Sequence, residues 1–198
     1  MKVLVVCEYS GRVRDAFRAK GHEAISCDLL PTEVPGPHIV GDALAAIRDV
    51  QPDLLIAHPP CTYLANSGVR WLYGGKGTTI DPVRWGQMEE GAAFFASLLN
   101  ADVPMVAVEN PVMHGYARAI IGRGQDQIVH PWQHGHGEQK ATGLWLRGLP
   151  LLVPSDIVEG REQRVWRMGP SADRWKERSR TFSGIAAAMA AQWGGLDR

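Results

Sequence analysis

Two short segments of this 198-residue chain carry side chains able to do chemistry together. Pro59-Pro60-Cys61 comes directly after the apolar run Asp53-Leu54-Leu55-Ile56-Ala57, and Glu109-Asn110-Pro111 follows a second apolar run at residues 104–108. Proline fixes its own φ and restricts the residue before it, so the first segment is a stiff exit from a strand. A thiol held in place before a substrate arrives is a candidate nucleophile, although the same tripeptide also describes a rigid loop with an incidental cysteine. A carboxylate such as Glu109 at a buried strand end needs a partner or a role. Three further turns add polar groups: Glu8-Tyr9-Ser10-Gly11, Asp28 and Gly41-Asp42. In open α/β sheets ligands bind at the carboxyl ends of the strands, and an acid about twenty residues past a glycine-containing turn holds ribose hydroxyls there.

The elements that must position these groups are short β-rich runs alternating with helical stretches. Strands are expected at residues 3–7, 23–27, 38–40, 53–57, 104–108, 127–130 and 143–147, and helices at 12–20, 43–50, 82–99 and 185–193. Asp81 suits the cap of the long helix and Pro82 its first position. The alternation predicts an α/β fold with a doubly wound, mostly parallel sheet and helices on both faces, in one domain over residues 1–198. Trp145 is expected in the core of a strand. The segment Gly74-Gly75-Lys76-Gly77-Thr78-Thr79 reads as a mobile loop, either a lid or idle; no strand leads into it, so it is no P-loop.

Formal net charge is zero, which argues against strong non-specific binding to nucleic acid over the whole surface. Residues 161–180 differ: seven Arg and Lys face three acids, a local +4, with Trp166 and Trp175 interleaved. That mixture suits a phosphate backbone with stacked bases, or else a solvated surface whose tryptophans cover the core. No apolar stretch approaches a membrane span, and Glu8 comes too early for a signal peptide, so a cytoplasmic chain with reduced cysteines is expected. Cys7 and Cys27 each end a strand and read as inert thiols. His130, His134 and His136 lack a structural zinc spacing, and no metal is expected.

The order of these motifs resembles the cytosine-C5 DNA methyltransferases, which use S-adenosyl-L-methionine. Pro59-Pro60-Cys61 with its preceding strand is similar to their Pro-Pro-Cys loop, and Glu109-Asn110 to their Glu-Asn-Val segment. Tyr9-Ser10-Gly11 is similar to their first glycine-containing turn, and Asp28 and Asp42 fall where their cofactor-binding acids lie. Residues 180–185 resemble their last cofactor-side segment, which brings in Ser183; the likeness covers most of residues 3–115 and, weakly, the last twenty. Val13 and Arg14 replace the later glycines of the turn, Thr62-Tyr63-Leu64 follows the cysteine, Pro111 replaces the valine, and Lys140 stands in a segment where the family carries arginines. There is no room for a target-recognition domain, so the chain resembles a compact, phage-type member.

The resemblance implies methyl transfer to C5 of cytosine, most naturally in DNA, as a single strand or a flipped base. Cys61 adds to C6, and Glu109, kept protonated by burial, bonds N3 with Asn110 beside it. It further implies cofactor contacts from Tyr9, Ser10, Gly11, Asp28, Asp42, Pro59 and Ser183, and substrate contacts from Pro60, Tyr63, Arg178 and Arg180. Glu8 either touches the cofactor or caps a helix. Two alternatives stay open: the same chemistry on a free pyrimidine nucleotide or with another one-carbon donor, and a non-catalytic cofactor- or nucleic-acid-binding module. A partner protein supplying target recognition fits the missing domain.

Overall fold

A computed structural model describes residues 1–74, 77–169, 171 and 174–196, without the side chain of Trp166. The chain runs β1 (Lys2–Val6), α1 (Arg12–Ala19), β2 (Glu23–Asp28), β3 (His38–Val40), α2 (Ala43–Val50) and β4 (Leu54–Ala57). A 3-10 segment (Asn66–Tyr73) leads to α3 (Pro82–Leu99), β5 (Met105–Pro111), α4 (Gly115–Ile121), β6 (Gln127–Val129) and β7 (Thr142–Arg147). Two short helices, α5 (Arg164–Arg167) and α6 (Arg174–Ser179), precede the last one, α7 (Ser183–Trp193).

The seven strands form one sheet in the order β3-β2-β1-β4-β5-β7-β6. The first five are parallel, so all their carboxyl ends lie along one edge. The sheet is mostly parallel, as expected, with an antiparallel pair of strands at one side. β7 runs antiparallel to β5, pairing Glu109 with Leu144 and Asn110 with Gly143, and β6 runs antiparallel to β7.

Alternation along the strands supplies two cores, because successive side chains point to opposite faces. Leu4, Val6, Leu55 and Ala57 pack with Phe95, Leu98 and Trp145 on one face. Val3, Val5, Leu54 and Ile56 pack with Phe17, Met189 and Trp193 on the other. Trp145 is fully buried and meets Phe95 edge-on at 5.0 Å between ring centroids. At the start of α3, the Asp81 carboxylate accepts from the amides of Val83 and Arg84, with Pro82 in the first turn. The loop at 74–79 lies partly outside the described residues, at Gly75 and Lys76, and so do Asp173 and the Trp166 side chain of the basic segment. No described helix is long and apolar enough to cross a membrane.

Candidate active site

The edge where the parallel strands end holds a cleft lined by Cys7 to Ser10, by His58 to Cys61, by Glu109 to Pro111, and by Lys140 and Arg178 to Thr181. Two chain exits from the sheet build its floor. Leaving β4, the His58 amide still donates to the Val6 carbonyl at 3.1 Å, and the prolines then carry the chain to a turn. In that turn the Cys61 carbonyl accepts from the amides of Leu64 and Ala65. Leaving β5, Asn110 is buried and its Nδ2 donates to the Pro59 carbonyl at 2.8 Å. Asn110 thus fastens the cysteine loop to the glutamate strand, and its Oδ1 is buried with no hydrogen-bond partner among the described residues.

Glu109 departs from the state expected for it. Its Oε2 lies 3.2 Å from Nδ1 of His58, whose side chain is only 6% exposed. Burial pushes the Glu109 carboxyl up, but the His58 hydrogen bond and the nearby charges of Lys140 and His58 outweigh it, and the net shift is downward. A carboxylate, not a burial-protonated acid, therefore occupies the cleft at neutral pH. Cys61 shifts the other way. Burial and the Glu109 charge raise its thiol, while Lys140 and Arg178 oppose them, and the net direction is up. His58 and Lys140 are among the lining groups that sequence reasoning did not place in the site. The visible signal for His58 was its position before two prolines.

The β1 turn is organised by its own side chains. Glu8 Oε1 accepts from the Val13 amide at 2.7 Å and from Ser10 Oγ at 3.2 Å, and Oε2 accepts from the Arg14 amide at 3.3 Å. Glu8 is therefore the cap of α1, the second of its two expected roles. Gly11 sits at φ +72°, and a Cβ there would lie 2.5 Å from the Arg14 guanidinium, so only glycine fits. Arg14 is fully buried and donates to Ser26, Thr32 and the Val34 carbonyl, which ties α1 to the loop after Asp28. Arg14 thus pins the turn after β1 to the loop after β2.

The acids expected at the next strand ends stand along the same edge. Asp28 Oδ1 accepts from the Leu30 amide at 2.9 Å, and Asp42 Oδ1 accepts from the Ala45 amide at 2.8 Å as the cap of α2. In each, the second carboxylate oxygen has no hydrogen bond among the described residues. Both are close enough to Cys7 to act with burial in pushing its thiol up to about 12.

The remaining residues divide. Arg178 lines the cleft and makes no ion pair among the described residues, while its carbonyl accepts from Lys140 Nζ at 3.1 Å. Arg180, expected to hold substrate, is instead committed through two nitrogens to Glu33 at 2.9 and 2.6 Å and through the third to Glu177. Tyr63, expected against a base, packs beside the core under the Arg84 guanidinium and does not line the cleft. Ser183 pairs with Nε2 of His136 at 3.1 Å, also away from it. Tyr9 lines the cleft, and its hydroxyl meets the Lys176 carbonyl and Ser179 Oγ, each at 3.1 Å. Among the described residues no group of three or more His, Cys, Asp or Glu is placed to hold a metal ion.

No protein-family profile and no curated protein sequence matches the chain. Its fold does match solved structures. One is a protein assigned as a DNA modification methyltransferase encoded within an E. coli prophage, with a TM-score of 0.51 and 12% identity over 86% of this chain. A second, the Entamoeba histolytica methyltransferase EhMeth, aligns at a TM-score of 0.48 and 13% identity over 82% of this chain. This chain spans 55% of the length of the first and 57% of the second. The seven-stranded sheet and the first match define the class: an α/β fold of the methyltransferase type.

Proposed function

We propose that the protein transfers a methyl group from S-adenosyl-L-methionine to C5 of cytosine in DNA, with Cys61 as nucleophile and Glu109 at N3. The observation that carries this reading is the convergence of Cys61, Glu109 and Lys140 on one cleft at the carboxyl edge of this sheet.

The edge beside that cleft fits the cofactor. Asp28 and Asp42 each keep one carboxylate oxygen for a hydroxyl or amine, and the buried Asn110 Oδ1 has no donor among the described residues. Those acids and the Tyr9-Ser10-Gly11 turn would hold the nucleoside and amino-acid parts. Bound there, S-adenosyl-L-methionine supplies an electrophilic methyl group.

Cytosine C5 is too weak a nucleophile to take that methyl unaided. Addition of the Cys61 sulfur to C6 turns the ring into an enamine and makes C5 reactive. Glu109 meets the ring edge at N3, where negative charge develops, and Lys140 stands close to both groups. Loss of the C5 proton and departure of Cys61 then restore the ring. Arg178, on the wall of the cleft and with no ion pair among the described residues, suits the phosphate beside an unstacked base. The prophage protein of like fold, assigned as a DNA modification methyltransferase, supports DNA as the substrate class.

The test is covalent trapping. A 5-fluorocytosine oligonucleotide with S-adenosyl-L-methionine should form an adduct that peptide mass mapping places at Cys61. Cys61→Ser should abolish the adduct and leave cofactor affinity and melting temperature nearly unchanged. An adduct with a fluorinated nucleotide but not with DNA would move the substrate to free pyrimidines. No adduct with either, beside normal cofactor binding by calorimetry, would refute the reading.

A further inference from the structure

A second cluster of rings lies outside the cleft, around the segment that follows Cys61. Tyr73 of the 3-10 segment, Trp85 of α3 and Tyr116 of α4 meet with ring centroids 5.0 to 6.4 Å apart, and the two tyrosine hydroxyls bond each other. Tyr63, Tyr73 and Trp85 are half-buried against the core, whereas Trp71 and Tyr116 are 45% and 42% exposed. Two guanidiniums lie over rings here: Arg70 is 4.6 Å from the Trp71 centroid, and Arg84 is 5.1 Å from that of Tyr63. Residues three apart eclipse in a 3-10 helix, so Arg70 stands on the side of Tyr73. Neither arginine makes an ion pair among the described residues. Two neighbouring acids are engaged within the fold, Asp81 by the first amides of α3 and Glu89 by the indole N–H of Trp85.

The rings are fastened to both chain exits of the site. The Asn66 amide donates to the Val112 carbonyl at 2.9 Å and the His114 amide to the Leu64 carbonyl at 3.1 Å, while His114 Nε2 lies 2.9 Å from the Tyr63 carbonyl. Tyr116 follows Glu109 by seven residues. Their separation is therefore at most about 25 Å, a length that about seven stacked nucleotides cover.

We propose that this face of rings and arginines is a stacking platform for the unpaired DNA strand that flanks the target cytosine. The inference rests on the reading that the cleft takes a pyrimidine of DNA, and it adds contacts to neighbouring nucleotides. Every base presents a π face, so rings and guanidinium planes hold a strand without reading its sequence. Arg70 and Arg84, with no carboxylate on them, are free to meet phosphates while their planes stack. Rings already seated against the core lose little freedom on binding. A duplex keeps its base faces inside its own stack, so the platform favours a single strand.

The probe is a fluorescein-labelled oligothymidylate of about twelve nucleotides, within the usual site sizes, followed by anisotropy. It lacks cytosine, so it reports binding apart from methyl transfer. Trp71→Ala and Tyr116→Ala should each weaken its binding about tenfold, as loss of one base–aromatic stack does, with melting temperature unchanged. Trp71→Phe should keep most of the affinity, and Arg70→Gln should lower it and flatten its salt dependence. A duplex of the same length should bind more weakly. Wild-type affinity in both alanine variants, or a preference for duplex, would overturn the platform. So would a dimer that dissociates in the variants while oligothymidylate binding persists, because the face would then belong to a second copy. The functional reading fails separately: a protein that binds oligothymidylate through Trp71 and Tyr116 but traps no 5-fluorocytosine refutes that reading and keeps the platform. Trapping of the oligonucleotide with the same half-saturation in wild type and both alanine variants keeps the reading and overturns the platform.

Discussion

The floor of the cleft and the segment over it are held by different physics. Cys61 follows a strand whose residues are all buried, Glu109 and Asn110 end one buried through Val106–Val108, and the Asn110–Pro59 hydrogen bond locks the two exits together. The α6 segment buries no residue at all. It is kept in place by Tyr9 on Lys176 and Ser179, by Lys140 on Arg178, by Arg180 on Glu33, and by Trp175 tilted against Tyr9 at 5.8 Å. A floor fixed by the core preserves the geometry that bond formation needs. A cover fixed by polar contacts opens at little cost, because exposed hydrogen bonds and ion pairs are replaced readily by water.

Two tryptophans give the sharpest test of that contrast. Trp145, fully buried behind Glu109's strand, should cost about 3–5 kcal/mol of stability when changed to Ala. Trp175, half exposed on α6, should cost less than about 1 kcal/mol. Urea unfolding followed by far-UV circular dichroism measures both. Equal losses would mean that α6 belongs to the cooperative core.

The sequence was legible where a signal was local. The helix at 82–99 was placed to the residue because Asp81 and Pro82 announce its start, and the strand ends carrying Asp28, Asp42, Cys61 and Glu109 follow from apolar runs that stop at polar groups. The helix Gly115–Ile121 was missed: it is seven residues long and is capped by the His114 ring, an unusual acceptor for the Ala117 amide. The strand expected at 143–147 is β7, but its antiparallel direction is not legible, because direction depends on the return path and not on the strand's own residues. Glu109's ionisation was misjudged for a similar reason. Burial can be read from a sequence, but His58 lies 51 residues away along the chain, and Lys140 reaches the site from the loop that leads into β7.

Lys140 joins the two regions, and its removal should affect both. Lys140→Met takes away a cation that lowers the Cys61 thiol and the Glu109 carboxyl, so both should titrate higher. Alkylation of Cys61 near neutral pH should slow by no more than about tenfold, the equivalent of one pKa unit. Its rate-against-pH curve should move to higher pH. The same variant loses the bond to the Arg178 carbonyl, so hydrogen exchange in α6 should quicken while β4 and β5 keep their protection. An unmoved curve would show that Lys140 does not act on the sulfur.

The smallest effect concerns the ion pair at the end of the cover. The hydrogen bond and charge of Arg180 hold the Glu33 carboxyl below its ordinary value of 4.5, although burial opposes them. A carboxyl depressed in the folded state stabilises it above the unfolded value, and that contribution is lost as pH falls through the folded one. Protection of α6 amides, corrected for intrinsic exchange, should therefore decline as the solution is acidified from 4.5 downward, before the strands respond. Arg180→Gln should speed α6 exchange at neutral pH by up to about fivefold, as expected for a partly exposed pair. It should also remove the acid-dependent step. Persistence of that step in the variant would place the titrating group elsewhere and leave the cover held by Tyr9 and Lys140.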